Sequence, residues 1–255
     1  MGSVEGSTVE GRRSAALPGY ERLAGPVPVL YRAGMEHRAA RSLDLLAAGA
    51  AALAEILAVE PPELEALLVA DEDWGQAPRE NEHPYPAGLP YFTRAASPPA
   101  LVLPQTLSPA FRPRTGATYP LVVWHELAHA FLLREPVVRT PAWLRELLPQ
   151  ALAAATARRT GAPLEEHLSR IDRTPGFTVR SYRGRADAGE QMAFQNLLLA
   201  LGGAAVERFG EGFLRGLTHA LREREDVVGE EQAEELVAAS LGPGGREWLS
   251  SRPEF

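Results

Sequence analysis

Two histidines and a glutamate interrupt an otherwise apolar stretch of the sequence, YPLVVWHELAHAF, which begins at residue 119. On an α-helix, His125 and His129 lie one turn apart on the same face, so both imidazoles can reach one metal ion. Glu126 lies about 100° further around the helix, where it can contact a water on that ion without binding the ion itself. The spacing therefore favours a metal site. Histidines that donate to buried backbone carbonyls are the alternative.

A catalytic zinc usually takes three protein ligands and leaves its fourth position to water. The chain has no cysteine, so the third ligand must be a histidine or a carboxylate. Glu135 lies six residues after His129, and a continuous helix rotates by about 600° over that distance. The rotation points Glu135 away from the histidines, and Pro136 then ends the helix. Glu135 is therefore an improbable ligand.

Glu146 is the better candidate for the third ligand. It lies in a second predicted helix, 141–159, in which Pro141 suits the first turn. The link at 136–140 is short, which favours an antiparallel pair of helices with facing sides. The alternative for Glu146 is a surface ion pair with an arginine such as Arg145, although its apolar neighbours in the sequence argue against full exposure.

The segments HELAH (125–129) and PAWLRE (141–146) together resemble the gluzincin zinc metallopeptidases in their peptidase MA-like form. The second segment is similar to the family's Pro-x-Trp-Leu-x-Glu segment, whose glutamate is the third zinc ligand. The resemblance implies a zinc ion (Zn2+) held by His125, His129 and Glu146. It further implies hydrolysis of a peptide bond by a metal-activated water, with Glu126 as the general base. The likeness extends over about 25–250, but only the two ligand segments are specific.

The sequence departs from the family pattern directly after the third ligand. The family usually has a glycine there, followed by a small residue and then an acidic one. This chain has Leu147, Leu148, Pro149 and Gln150 instead. Because Pro149 cannot donate to the carbonyl of Arg145, we expect a kink in the helix at this point.

A second departure concerns the hydroxyl group that stabilises the oxyanion. The family often carries a tyrosine in its C-terminal helical part, and the nearest match here is Phe194. Tyr182 is the closest upstream hydroxyl and the candidate oxyanion donor, and His219 is a second candidate; structural roles are the alternatives for both. The two departures leave open a different function, a zinc-binding but catalytically impaired peptidase-like module that acts in partner binding or regulation.

The elements around these segments predict an α+β fold. Strands are predicted at 27–34, 64–73, 88–95 and 99–105, and helices at 36–59, 120–135, 141–159, 162–170, 187–208, 211–224, 230–240 and 245–250. Prolines in the last two strands indicate edge positions. By resemblance, the expected architecture is zincin-like: a small N-terminal mixed sheet, an edge strand packed on the zinc-binding helix, and a mostly helical C-terminal half. The family analogy also implies that a peptide pairs with the edge strand near 99–105.

The domain organisation follows from composition and from the same pattern. Residues 1–20 are polar and rich in small residues, so we expect a disordered tail. Residues 21–255 are expected to form a single zincin-like metallopeptidase domain. Within it, 21–160 supply the sheet and the zinc-ligand helices, and 161–255 form a helical subdomain.

Charge and hydropathy restrict the partners. The formal net charge is −7 and no basic patch stands out, which argues against nucleic acid. The first residues lack the apolar segment of a signal peptide. The longest apolar run, 45–59, is interrupted by Glu55 and is too short to span a bilayer. We therefore expect a soluble, cytoplasmic protein whose partner is a peptide or protein substrate, with no membrane contact; the oligomeric state stays open.

Overall fold

The computed structural model describes residues 15–80, 87–109, 115–132, 140–171, 176–181, 188–224 and 226–255. The strands are β1 Tyr20–Leu23, β2 Val29–Arg32, β3 Glu65–Val69, β4 Tyr91–Thr93 and β5 Ala100–Pro104. The helices are α1 Glu36–Leu57, α2 Thr118–Leu132, α3 Ala142–Thr160, α4 Leu164–Leu168, α5 Ala188–Phe209, α6 Gly212–Arg222, α7 Glu230–Leu241 and α8 Gly245–Ser250, and a 3-10 helix spans Asp71–Gln76.

The five strands form one mixed sheet in the order β1-β2-β3-β5-β4. The three central strands are parallel, and β1 and β4 pair antiparallel at the two edges. Among the described residues, α1 and the 3-10 helix lie between the strands, and every regular element after β5 is a helix. This arrangement confirms the predicted α+β class with a small mixed sheet and a mostly helical remainder.

Successive side chains of the central strands point to opposite faces of the sheet, and both faces are buried. Leu68 of β3 and Leu101 of β5 join the large core formed with the helices. Their chain neighbours Leu67 and Val102 face the opposite side, where they pack with Trp74 of the 3-10 helix. Because both faces are covered, β3 and β5 are continuous apolar runs, which explains why they could be found from the sequence.

The prediction that the strand at 99–105 lies at an edge is wrong. β5 lies between β3 and β4, and the edge strand on this side is β4. Pro104 is tolerated because it is the last residue of β5 and lies beyond Val102, where the pairing with β4 ends at Tyr91. The ladder to β3 continues past it, since Gln105 N–H donates to the carbonyl of Val69.

Two further differences concern the N-terminal strands. β1 was not predicted, because its two middle residues, Glu21 and Arg22, are charged and exposed. Arg22 forms an ion pair with Glu65 of β3, which helps to hold β1 on the sheet. The predicted strand 64–73 is shorter, since the chain turns into the 3-10 helix at Asp71, whose carboxylate accepts from Thr106. Of the predicted tail, 1–14 lies outside the described residues.

Close packing between helices determines where α2 and α3 lie. Trp124 of α2 donates from its indole to the carbonyl of Leu45 in α1, and a Cβ on Gly49 would lie 2.4 Å from its ring. On the other side, α3 meets α5 where Ala151 faces Gly202; a Cβ there would lie 2.8 Å from the Cα of Ala151. These small residues allow the backbones to approach closely and so fix the two helices.

No described helix combines the length and apolar character needed to cross a membrane. The predicted ends of the helices agree with the structure to within about two residues for α1, α3 and α5. Residues 133–139, which contain the predicted end of the α2 helix and the link to α3, lie outside the described residues.

Candidate metal centre

Two of the candidate ligands lie on α2, which is held in the core by its apolar residues. Leu127, Ala128 and Phe131 are fully buried, so the helix cannot rotate without exposing them. His125 is buried as well, while His129 and Glu126 are partly buried. The i, i+4 spacing therefore brings both imidazoles to one face of a fixed helix, as the sequence predicted.

The third candidate ligand, Glu146, lies in the second turn of α3. This end of α3 is anchored by Trp143, whose indole donates to Glu230 at 2.6 Å and whose ring packs edge-on against Phe255. Leu144 and Leu147 on either side of Glu146 are buried. The side chain of Glu146 is 19% exposed, and its Oε1 lies 3.7 Å from the guanidinium of Arg145. The alternative ion pair with Arg145 is therefore present, but on a carboxylate that is mostly buried.

The three side chains converge on one point. The two histidine Nε2 atoms lie 3.1 Å apart. Glu146 Oε2 lies 3.4 Å from His125 Nε2 and 3.6 Å from His129 Nε2. His125, His129 and Glu146 thus form a group of potential metal ligands with all three donor atoms close together.

The triangle of donor atoms has the size that zinc requires. Ligand atoms about 2.0–2.1 Å from a tetrahedral zinc lie about 3.3–3.4 Å from one another. The three observed separations, 3.1, 3.4 and 3.6 Å, fall around that value. Two imidazoles and one carboxylate are also a common ligand set of catalytic zinc. The residues present therefore fit a zinc ion.

The charges in this group are strongly coupled. Burial acts to raise the pKa of Glu146, but hydrogen bonds and charges from His125 and His129 outweigh it and hold that pKa well below its usual range. Burial acts to lower the pKa of His129, and the Glu146 carboxylate more than offsets this, so that the pKa is raised. Glu146 is thus held as a carboxylate, the form that binds a metal ion.

Glu126 lies on the side of the site that faces the sheet. Its Oε2 accepts the backbone N–H of Phe92 in edge strand β4 at 3.0 Å. Burial raises the pKa of Glu126, and the nearby charges of His125 and His129 only partly oppose this. Glu126 is therefore a carboxyl group adjacent to the ligands, held by the edge strand and shifted toward the proton affinity that a general base needs.

A hydrogen-bonded pair of glutamines contacts the third ligand and was not found from the sequence. Gln195 of α5 donates from Nε2 to Glu146 Oε2 at 3.2 Å, and Gln150 of α3 donates from Nε2 to Gln195 Oε1 at 2.6 Å. In the sequence, Gln150 is noted only as the last of the four residues that depart from the family pattern after the third candidate ligand. Gln195 is the chain neighbour of Phe194, which is buried in the core and has no hydroxyl.

Of the other residues considered as ligands or as the oxyanion donor, two lie outside the described residues and one is exposed. Tyr182, the candidate oxyanion donor, and Glu135 lie outside the described residues. His219 of α6 is 72% exposed and pairs with Glu223, the residue directly after the helix. α3 continues through Pro149 to Thr160; the kink expected at Pro149 stays a prediction.

Comparison with solved structures finds 24 chains that match this one. The structure of yeast LTA4 hydrolase in complex with bestatin matches with a TM-score of 0.53 at 14% sequence identity. The match covers 91% of this chain and 38% of that chain, so this chain spans less than two-fifths of the length of its neighbour. No protein-family model and no curated protein matches. At this identity the likeness shows a shared fold.

Proposed function

We propose that the protein is a zinc-dependent peptidase of the gluzincin type, whose residues 21–255 form a single zincin-like domain. The observation that carries the proposal is the triangle of His125 Nε2, His129 Nε2 and Glu146 Oε2. Its dimensions suit zinc, and its residues are those of the two segments that resemble the family. The fold shared with part of a hydrolase supports the same assignment.

His125, His129 and Glu146 would hold the ion, and Glu126 would act beside it. Zinc in such a site supplies Lewis acidity, which acidifies water toward a pKa of about 7 and polarises a carbonyl. Glu126 accepts a proton at its carboxylate and returns it to the leaving amine. Its raised pKa suits this exchange. A carboxyl group whose pKa is closer to neutral both takes up and returns a proton more readily at neutral pH than one with the usual pKa.

Edge strand β4 is the proposed docking strand for the peptide. The backbone N–H of Phe92 in β4 donates to Glu126, and that of Arg94, directly after β4, donates to Glu80, so both bind carboxylates rather than another strand. A peptide that pairs with β4 presents carbonyls to these two donors in place of the carboxylates. Pairing would thereby release Glu126 from Phe92 beside the scissile bond. Tyr182 stays the proposed donor to the oxyanion.

The test of this function is the variant Glu126→Gln. We expect it to bind one equivalent of zinc like the wild type, because Glu126 is not a ligand, and to lose peptide hydrolysis by about 10²–10⁴-fold. Cleavage of a mixed peptide library is followed by mass spectrometry, with zinc content measured on the same samples. Glu223→Gln, at an exposed position directly after α6, is the matched control.

Two outcomes would contradict the proposal. Undiminished turnover in Glu126→Gln removes the assigned general base. A wild-type protein that binds zinc but cleaves no member of the library would instead favour a catalytically impaired module that acts through partner binding.

A further inference from the structure

The third ligand, Glu146, contacts a polar pair that no other part of the proposed chemistry uses. Gln195 and Gln150 form a chain of two hydrogen bonds that ends on Glu146 Oε2, with donor–acceptor distances of 2.6 and 3.2 Å. Gln150 is 8% exposed, so its amide lies in the protein interior. Buried amides in a satisfied network hold side chains in one arrangement.

The direction of this chain of hydrogen bonds is fixed by chemistry. An ionised carboxylate has no proton and only accepts, so Gln195 must present its NH2 group to Glu146. Its carbonyl oxygen then faces the other way and needs a donor, which Gln150 supplies from its own NH2 group. Each amide orientation therefore follows from the charge on Glu146.

The hydrogen bond falls on the donor atom of the metal site itself. Oε2 is the carboxylate oxygen of Glu146 that lies 3.4 and 3.6 Å from the two histidine Nε2 atoms. The other oxygen, Oε1, lies 3.7 Å from the guanidinium of Arg145. A carboxylate oxygen has two lone pairs, so Oε2 can accept from Gln195 and still bind a metal ion beside the histidines.

The packing of α3 against α5 makes the contact rigid. Gly202 approaches Ala151 so closely that a Cβ would lie 2.8 Å from the Cα of Ala151. Gln195 lies two turns before Gly202 on α5, and Gln150 directly precedes Ala151 on α3. The two helices therefore hold both amides near Glu146 without the need to order a loop.

We propose that Gln195, held by Gln150, is a positioning residue that orients Oε2 of Glu146 as the third ligand. This inference rests on the proposed zinc site and adds to it a second layer of contacts. Outer partners of this kind orient metal ligands, and their loss typically lowers metal affinity by about 10–100-fold.

The experiment compares zinc affinity and the cobalt spectrum of substituted full-length proteins. Gln195→Met keeps the length of the side chain and removes the amide, Gln195→Glu places a like charge against Glu146, and Gln150→Met removes only the outer amide. Exposed Gln76→Met is the control. Zinc dissociation constants come from competition with a chromophoric chelator, and Co2+ absorption in the visible range reports ligand geometry.

We expect Gln195→Met to weaken zinc binding by about 10–100-fold and to shift the Co2+ bands, with a larger loss for Gln195→Glu. Gln150→Met should lose less. The double variant Gln150→Met/Gln195→Met should match Gln195→Met alone, since Gln150 acts through Gln195. If the losses of the two single variants add in the double variant, Gln150 does not act through Gln195, and that part of the proposal is contradicted.

The outcomes separate this inference from the proposed function. A wild-type protein that binds no zinc refutes the metal site. A wild type that binds zinc while Gln195→Met stays within twofold of Gln76→Met overturns the positioning role. If Gln195→Met does not fold, as shown by circular dichroism of the metal-free protein, Gln150→Met decides: unchanged affinity and an unchanged Co2+ spectrum overturn the proposal.

Discussion

Two buried histidines contact residues of helix α2, and their ring nitrogens have different hydrogen-bond partners. His167 of α4 is buried, and its Nδ1 meets the hydroxyl groups of Thr115 and Thr118 at 3.2 and 3.4 Å. His125 is equally buried, but its Nε2 faces the Nε2 of His129, and its Nδ1 has no hydrogen-bond partner among the described residues. The Nδ1 atom of His167 thus has two hydroxyl partners, whereas the Nδ1 atom of His125 has none among the described residues.

This difference distinguishes a structural histidine from a candidate metal ligand. Hydroxyl groups can donate or accept, so Thr115 and Thr118 satisfy His167 in either tautomer. Around His125, three atoms with lone pairs converge, the two Nε2 atoms and Glu146 Oε2. A metal ion at this point could bind all three atoms at once, in place of the hydrogen bonds that link the two histidines to each other and to Glu146. This convergence of lone pairs is what makes His125 a candidate metal ligand and His167 not.

The largest expected effect comes from removing one histidine of each kind. His125→Ala should lower zinc affinity by more than the roughly 10–100-fold that follows loss of an outer-shell partner, because it removes a ligand. His167→Ala should leave zinc affinity unchanged. Equilibrium competition with a chelator measures both. Equal losses in the two variants would show that the two environments are not distinct.

A smaller effect is expected from removing the metal. A ligand present at 100 times its dissociation constant stabilises the folded state by about 2.7 kcal/mol. Chelation should therefore lower the unfolding temperature of the wild type, and also that of Thr115→Val, whose zinc site is intact. It should not change that of His125→Ala. A melting curve of His125→Ala that responds to chelator as the wild type does would place the metal elsewhere.

The smallest effect is expected at the neutral cluster. Thr115→Val removes one hydroxyl partner of His167 Nδ1 and should lower the free energy of unfolding by about 0.5–1.5 kcal/mol, since Thr118 still contacts the ring. Urea denaturation in the presence of chelator isolates this loss from the contribution of zinc. A change in zinc affinity in Thr115→Val would link the two histidine environments, contrary to their separation here.

The sequence predicted those features that follow from local spacing. The interval between His125 and His129 fixes their common face on any helix, and the apolar runs of β3 and β5 are recognisable because both faces of the sheet are buried. The segment PAWLRE indicated Glu146 through resemblance. The metal-ligand assignment itself stays a prediction, although the structure brings all three side chains together.

The remaining features depend on contacts between segments far apart in the chain. Gln195 is 49 residues from Glu146, and only the packing of α3 on α5 brings them together. Strand order likewise depends on pairing, so the prolines around β5 predicted an edge that belongs to β4. No periodic pattern encodes such pairings, because the same apolar run fits either position.

The most direct test of the zinc site is a crystal structure of the zinc-loaded protein with anomalous data collected at the zinc absorption edge. We predict a single strong peak within about 2.0–2.2 Å of His125 Nε2, His129 Nε2 and Glu146 Oε2, with a fourth position left open. A peak bound by other residues, or no peak at this site in protein that contains stoichiometric zinc, would contradict the account.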